Sequence, residues 1–169
     1  MRYVFWFYCF TFSIANLVGQ TYSDSISVNF FLLDECRISQ NISGEINHVQ
    51  SLFGESPFYF RAYFPGTTVD ISKMHSFMSD YKLKMPYFVD KEGVEVGFYG
   101  ASVAPEVVVY DEKQGLLLYR GRIDNSYADV GIRRRVVTSR DLRKVLQCIK
   151  DGVEIPVKET KAIGCYLNH

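Results

Sequence analysis

No Cys-X-X-Cys pair occurs among the four cysteines of this chain, which excludes a self-contained dithiol exchange within one helical turn. The formal net charge is zero, so there is no bulk electrostatic attraction for nucleic acid or an acidic membrane. His48, His75 and His169 stand at no metal-ligand spacing, either mutually or with the cysteines. No internal repeat, low-complexity tract or second domain is visible along the 169 residues, a length that fits one domain.

What is present is apolar and aromatic. The chain is 47% hydrophobic, with thirteen Phe and twelve Tyr, which implies several strands and a dense aromatic core. Arg2 followed by the apolar run Tyr3 to Phe12, with small and polar residues around Ala15, Gly19 and Gln20, reads as a secretory signal peptide over residues 1–20. The run is short for a membrane span; an uncleaved membrane anchor is the alternative. Export leaves Cys36, Cys148 and Cys165 in a compartment where disulfides persist. An odd count leaves at least one thiol unpaired within the chain.

The mature chain, residues 21–169, alternates in period. Val28 to Leu33 reads as a buried strand, and from Ser39 the apolar positions Ile42, Ile46 and Val49 fall on one helical face. Gly54 and Pro57 end that helix. Phe58 to Phe64 is a second strand. Asp70 is placed to cap a helix carrying Ile71, Met74, Phe77 and Tyr81. Met85 to Asp90 is extended, and Lys91 to Gly100 is read as a short helix. Val107 to Tyr110 and Leu116 to Arg120 form a hairpin around Gly115. Thr138 or Ser139 is placed to cap a last helix bearing Leu142, Val145, Leu146 and Ile149, which Gly152 stops before a carboxyl-terminal tail. Strand–helix–strand–helix followed by strand–hairpin–strand–helix is the order of an α/β thioredoxin-like fold, a central mixed sheet flanked by helices.

Cys36 occupies the most telling place in this pattern. It follows the first strand and precedes the first helix, where unpaired backbone N–H groups favour a thiolate. Arg37 adds positive charge there, while Asp34 and Glu35 oppose it. Such a thiolate, exposed at the helix end, could attack a disulfide or a peroxide; the alternative is an inert or disulfide-locked cysteine. The fourteen residue steps from Asp151 to Cys165 span roughly 45 Å when extended, against about 20 Å for the last helix. The tail can therefore return Cys165 to the Cys36 end, either as a resolving thiol or as a permanent staple contributing about 4–5 kcal/mol. Cys148, at the edge of the last helix's apolar stripe, reads as a small core filler. The arginines between Arg120 and Arg135 read as a loop pinned by Arg–Asp pairs.

Three segments resemble one family. Asp34-Glu35-Cys36-Arg37-Ile38-Ser39, Ala104-Pro105-Glu106-Val107, and Arg120-Gly121-Arg122-Ile123-Asp124 with Thr160-Lys161-Ala162-Ile163-Gly164-Cys165 resemble the redoxins related to alkyl hydroperoxide reductase and thiol-specific antioxidant proteins. The resemblance runs from about residue 28 to 166. It implies that Cys36 is the redox-active position and that Pro105 is cis. It further implies that the Ala104 backbone pairs with an extended thiol substrate, with Arg37 on the substrate side. Ser39 fills the place of a second cysteine. Arg37 replaces a usual proline, and Leu33 stands where a peroxidase has Thr or Ser, which argues against efficient peroxide reduction. The reading that follows is a thiol oxidoreductase acting on disulfides or peroxides, supplied with electrons by a dithiol protein and needing no organic cofactor. A non-catalytic binding or assembly module of the same fold is the alternative.

Overall fold

The computed structural model describes residues 20–167; the segment read as a signal peptide, with Arg2 and Cys9, lies outside them. Among the described residues no helix is long and apolar enough to cross a membrane.

Five strands form the central sheet: β1 (Ile26–Phe31), β2 (Phe58–Pro65), β3 (Tyr87–Asp90), β5 (Glu106–Asp111) and β6 (Leu116–Gly121). Their order is β3-β2-β1-β5-β6. β1 runs parallel to β2, and β2 to β3, while β5 is antiparallel to both β1 and β6. β1 is therefore central and buried along its whole length.

Alternation along the strands splits the interior in two. Ile26, Val28, Phe30, Phe60, Ala62, Val107 and Val109 face a large core. It is closed by α1 (Arg37–Phe53), α2 (Ile71–Asp80) and α4 (Asp141–Asp151). Phe31, Tyr63 and Val108 face a smaller one, closed by α3 (Val94–Tyr99) and by Leu167 of the tail. Each large side chain so withdrawn from water contributes roughly 1.5–3 kcal/mol. The apolar stripe of α4 (Leu142, Val145, Leu146, Ile149) is wholly buried, and Cys148 packs partly buried beside it, as a core filler should.

Most elements fall where the pattern puts them; the exceptions are helix starts and a few short strands. Asp70 caps α2, accepting from the N–H groups of Ser72 (2.9 Å) and Lys73 (3.3 Å). α1 begins at Arg37, two residues before the expected Ser39, because Cys36 itself takes the extended cap conformation and its carbonyl accepts from Gln40. Arg140, not Thr138 or Ser139, holds the cap position of α4. The Asn125 side chain accepts the N–H groups of Thr138 and Ser139, and the Ser139 hydroxyl donates to Asp141. Those contacts draw the two hydroxyl residues out of the capping role. The expected Arg–Asp pinning of the basic loop holds in part: Arg122 pairs with Asp141 and Arg120 with Glu159, while Arg133, Arg134 and Arg135 are exposed and form no ion pair among the described residues. The loop also contains an unforeseen short hairpin, β7 (Tyr127–Asp129) with β8 (Ile132–Arg133).

Candidate functional site

The tail does return to Cys36. Ile155 is buried in the large core. Arg120 N–H donates to Lys158, and Thr160 N–H donates back to Arg120. The Thr160 hydroxyl sits between the Arg122 N–H (3.1 Å) and the Tyr119 hydroxyl (2.6 Å). Gly121 makes this possible: its φ is +144°, and a Cβ there would strike Thr160. Beyond Thr160, β9 (Cys165–Tyr166) pairs antiparallel with β4 (Val103–Ala104). Leu167 N–H donates to Ser102 at 3.2 Å.

This pairing places the sulfurs of Cys36 and Cys165 2.6 Å apart, within reach of disulfide formation. Both are free cysteines. The Cys36 thiol in turn faces the Ala104 carbonyl at 3.3 Å. Cys36 is the cap residue of α1 (φ −77°, ψ 114°), with no formal capping hydrogen bond to its side chain. Burial pushes its thiol up. The Cys165 thiol and the backbone N–H groups of Ser39, Ile38 and Cys165 pull it down further, so it lies below its ordinary value. Burial, the hydrogen bond to Cys36 and the charge on Cys36 push Cys165 up to about 11. The pair is therefore asymmetric: Cys36 is the better thiolate and Cys165 the proton holder.

Two expectations about Cys36 need correction. Its side chain is not exposed at the helix end; it is only 4% accessible, covered by the returning tail. Arg37 is exposed and takes no part in the Cys36 shift or in lining the adjoining cleft. The Cys165 side chain is the largest influence lowering the Cys36 thiol, and Glu35 pairs with Lys73 at 2.5 Å.

Pro105 has the expected cis bond. Ala104 is buried, and its edge already carries Cys165 rather than lying open. Glu106 supports this loop: its buried carboxylate accepts the N–H groups of Ser102 (2.7 Å) and Val103 (3.3 Å). That role was not read from the sequence, although the acid sits directly after Pro105. Nor was the contact of Gly164 with Ala104, for which a glycine just before the tail cysteine is the signal.

A cleft of about 610 Å³ opens over the two sulfurs. Asp34, Glu35, Thr67, Thr68, Asp70 and Lys73 line it, with Tyr166 at the tail side. Among the described residues no group of three His, Cys, Asp or Glu side chains converges as a metal-ligand set.

No protein-family pattern matches the chain, and no curated protein sequence does. Solved structures do. An uncharacterized conserved protein from Geobacillus kaustophilus superposes with a TM-score of 0.74 at 20% identity, covering 87% of this chain and 78% of its own. A hypothetical protein from Sinorhizobium meliloti gives 0.73 at 19%, covering 85% and 79%. A secreted Mycobacterium tuberculosis disulfide oxidoreductase, described as homologous to E. coli DsbE, gives 0.52 at 17%, covering 75% and 81%. The fold is thioredoxin-like. Within that fold the site sits where the parallel β1–α1 unit meets the Pro105 loop, and the tail is laid across the junction.

Proposed function

We propose that this protein is a thiol–disulfide oxidoreductase of the redoxin type, working through Cys36 and Cys165 as one dithiol/disulfide pair. The observation that carries the reading is the 2.6 Å approach of two free sulfurs whose acidities are pushed in opposite directions. A low-lying thiolate beside a protonated thiol is the arrangement from which a disulfide forms and reopens. The two sulfurs themselves carry the two electrons exchanged. A disulfide oxidoreductase from Mycobacterium tuberculosis with the same fold supports this chemistry. Electrons come from an external dithiol protein, and export, suggested by the apolar amino terminus, places the pair where disulfide substrates form. Disulfides are favoured over peroxides, since the position three residues before Cys36 is Leu33 and carries no hydroxyl.

Equilibration of the full chain in a graded series of reduced and oxidised dithiothreitol tests this. Mass mapping is expected to show the Cys36–Cys165 peptide linked at the oxidising end, free at the reducing end, and identical from either direction. A link that never reopens under native conditions overturns the reading and leaves a stapled binding module.

A further inference from the structure

The sequence points to Cys36 as the sulfur that meets the substrate, but in the folded chain Cys36 is buried and Cys165 lies partly exposed beside it. We propose that Cys165 is the sulfur that contacts the external thiol or disulfide, and that Cys36 acts behind it, first as proton acceptor and then as resolving thiolate. The inference rests on the dithiol reading above and adds the direction of approach and the order of bonds.

Three observations carry it. The backbone edge of Ala104, where an incoming extended substrate would pair beside Cys36, is filled by the protein's own tail through Val103–Tyr166 and Ala104–Cys165. That tail is fixed by Thr160, Gly164 and Leu167, each engaged with a different part of the scaffold. An external strand therefore finds no free edge, and approach is left to the cleft. Both cysteines line that cleft, but Cys36 is only 4% accessible, with the Ala104 carbonyl and Cys165 against its sulfur, whereas Cys165 is partly exposed beside the open Tyr166. Finally, the Cys36 sulfur, 2.6 Å away, is the base nearest to the Cys165 proton, and a Cys36 S–H has the Ala104 carbonyl to donate to at 3.3 Å.

The steps balance. In the reduced protein Cys165 transfers its proton to the Cys36 thiolate, whose new S–H is received by the Ala104 carbonyl. The Cys165 sulfur attacks one sulfur of a small disulfide, RSSR; the Cys165–S bond forms, the substrate S–S bond breaks, and RS⁻ leaves. Cys36 then loses its proton to solvent and attacks the Cys165 sulfur. The Cys36–Cys165 bond forms, the mixed disulfide breaks, and a second RS⁻ leaves. The protein has lost two electrons and the substrate has gained them. In reverse, an external thiolate attacks Cys165 and Cys36 departs as the better leaving thiolate.

Two measurements decide the order. The oxidised full chain is mixed with limiting cysteamine, quenched in acid within milliseconds to seconds, and mapped by mass. The adduct is expected on Cys165; an adduct on Cys36 overturns the proposal while leaving the reversible pair intact. Should resolution outrun the quench, the Cys36→Ser and Cys165→Ser chains are each reacted with cystamine across pH. Rates are expressed per thiolate, using the titration of thiolate absorbance in each variant. Cys165 in Cys36→Ser is expected to react roughly tenfold or more faster per thiolate than Cys36 in Cys165→Ser. Equal rates, or a faster Cys36, overturn it. Failure of the pair to interconvert in dithiothreitol would instead remove the reading beneath it.

Discussion

Gly164 lies flat against the Ala104 carbonyl, so closely that a Cβ on Gly164 would overlap the Ala104 oxygen and carbon. This contact brings the residue before Cys165 onto the Pro105 loop and fixes the reach of the tail. Neither backbone can retreat without breaking the β4–β9 pairing.

Replacing Gly164 with Ala should therefore lift the tail from its seat. The expected cost is about 1–3 kcal/mol, as for other overpacked sites, with slower formation of the Cys36–Cys165 disulfide. Gly97→Ala in α3 is the control, since its Cβ meets nothing within 4 Å. Urea denaturation and timed alkylation check both. Unchanged disulfide kinetics in Gly164→Ala would show that the tail seat does not govern the pairing.

Thr160→Val tests the other anchor. Tyr119 O–H donates to the Arg122 carbonyl at 2.7 Å, so the Thr160 O–H donates to Tyr119 and its oxygen accepts from Arg122 N–H. Valine leaves that N–H without a partner, a loss of about 1–3 kcal/mol. Amide exchange should accelerate over residues 158–167 more than in β1. Acceleration spread evenly over the sheet would mean that Thr160 supports the whole domain and not the tail.

The reduced and oxidised forms should differ in stability in a pH-dependent way. The folded Cys36 thiol lies below its ordinary value of 9.0, so its contribution is present above the unfolded value and is lost as pH falls through the folded one. The folded Cys165 thiol, raised to about 11, contributes below its unfolded value and loses that contribution as pH rises through the folded one. The disulfide form has neither titration. The reduced protein should gain on the oxidised protein as pH rises from the folded Cys36 value toward about pH 9 and fall back toward about pH 11. Urea midpoints of the two forms at each pH measure this, and a constant gap would contradict it.

The cleft should select thiols by charge. Asp34, Glu35 and Asp70 line it against a single cation, Lys73, itself paired with Glu35. Cysteamine should reduce the oxidised protein roughly tenfold faster than 3-mercaptopropionate at low ionic strength, after correction for thiol acidity. The ratio should shrink in about 0.5 M salt. A preference for the anionic thiol would show that another surface guides approach.

The sequence by itself determined the frame. Period-two and period-3.6 apolar runs are local properties, and they marked the main strands and the four helices among the described residues, including the Asp70 cap and the Gly115 turn. They also marked Cys36 as the residue between β1 and α1, because a strand delivering a lone cysteine to a helix start is visible in ten residues. Where local chemistry had close competitors, as at Ser39, Thr138 and Ser139, helix starts moved by one to two residues. The path of the tail belonged to tertiary structure alone. Chain length showed only that Cys165 could reach Cys36. What takes it there is a set of contacts between residues far apart in sequence: Thr160 with Tyr119, Gly164 with Ala104, Leu167 with Ser102. Those contacts bury Cys36 and fill the Ala104 edge, because accessibility depends on what the rest of the chain lays over a residue.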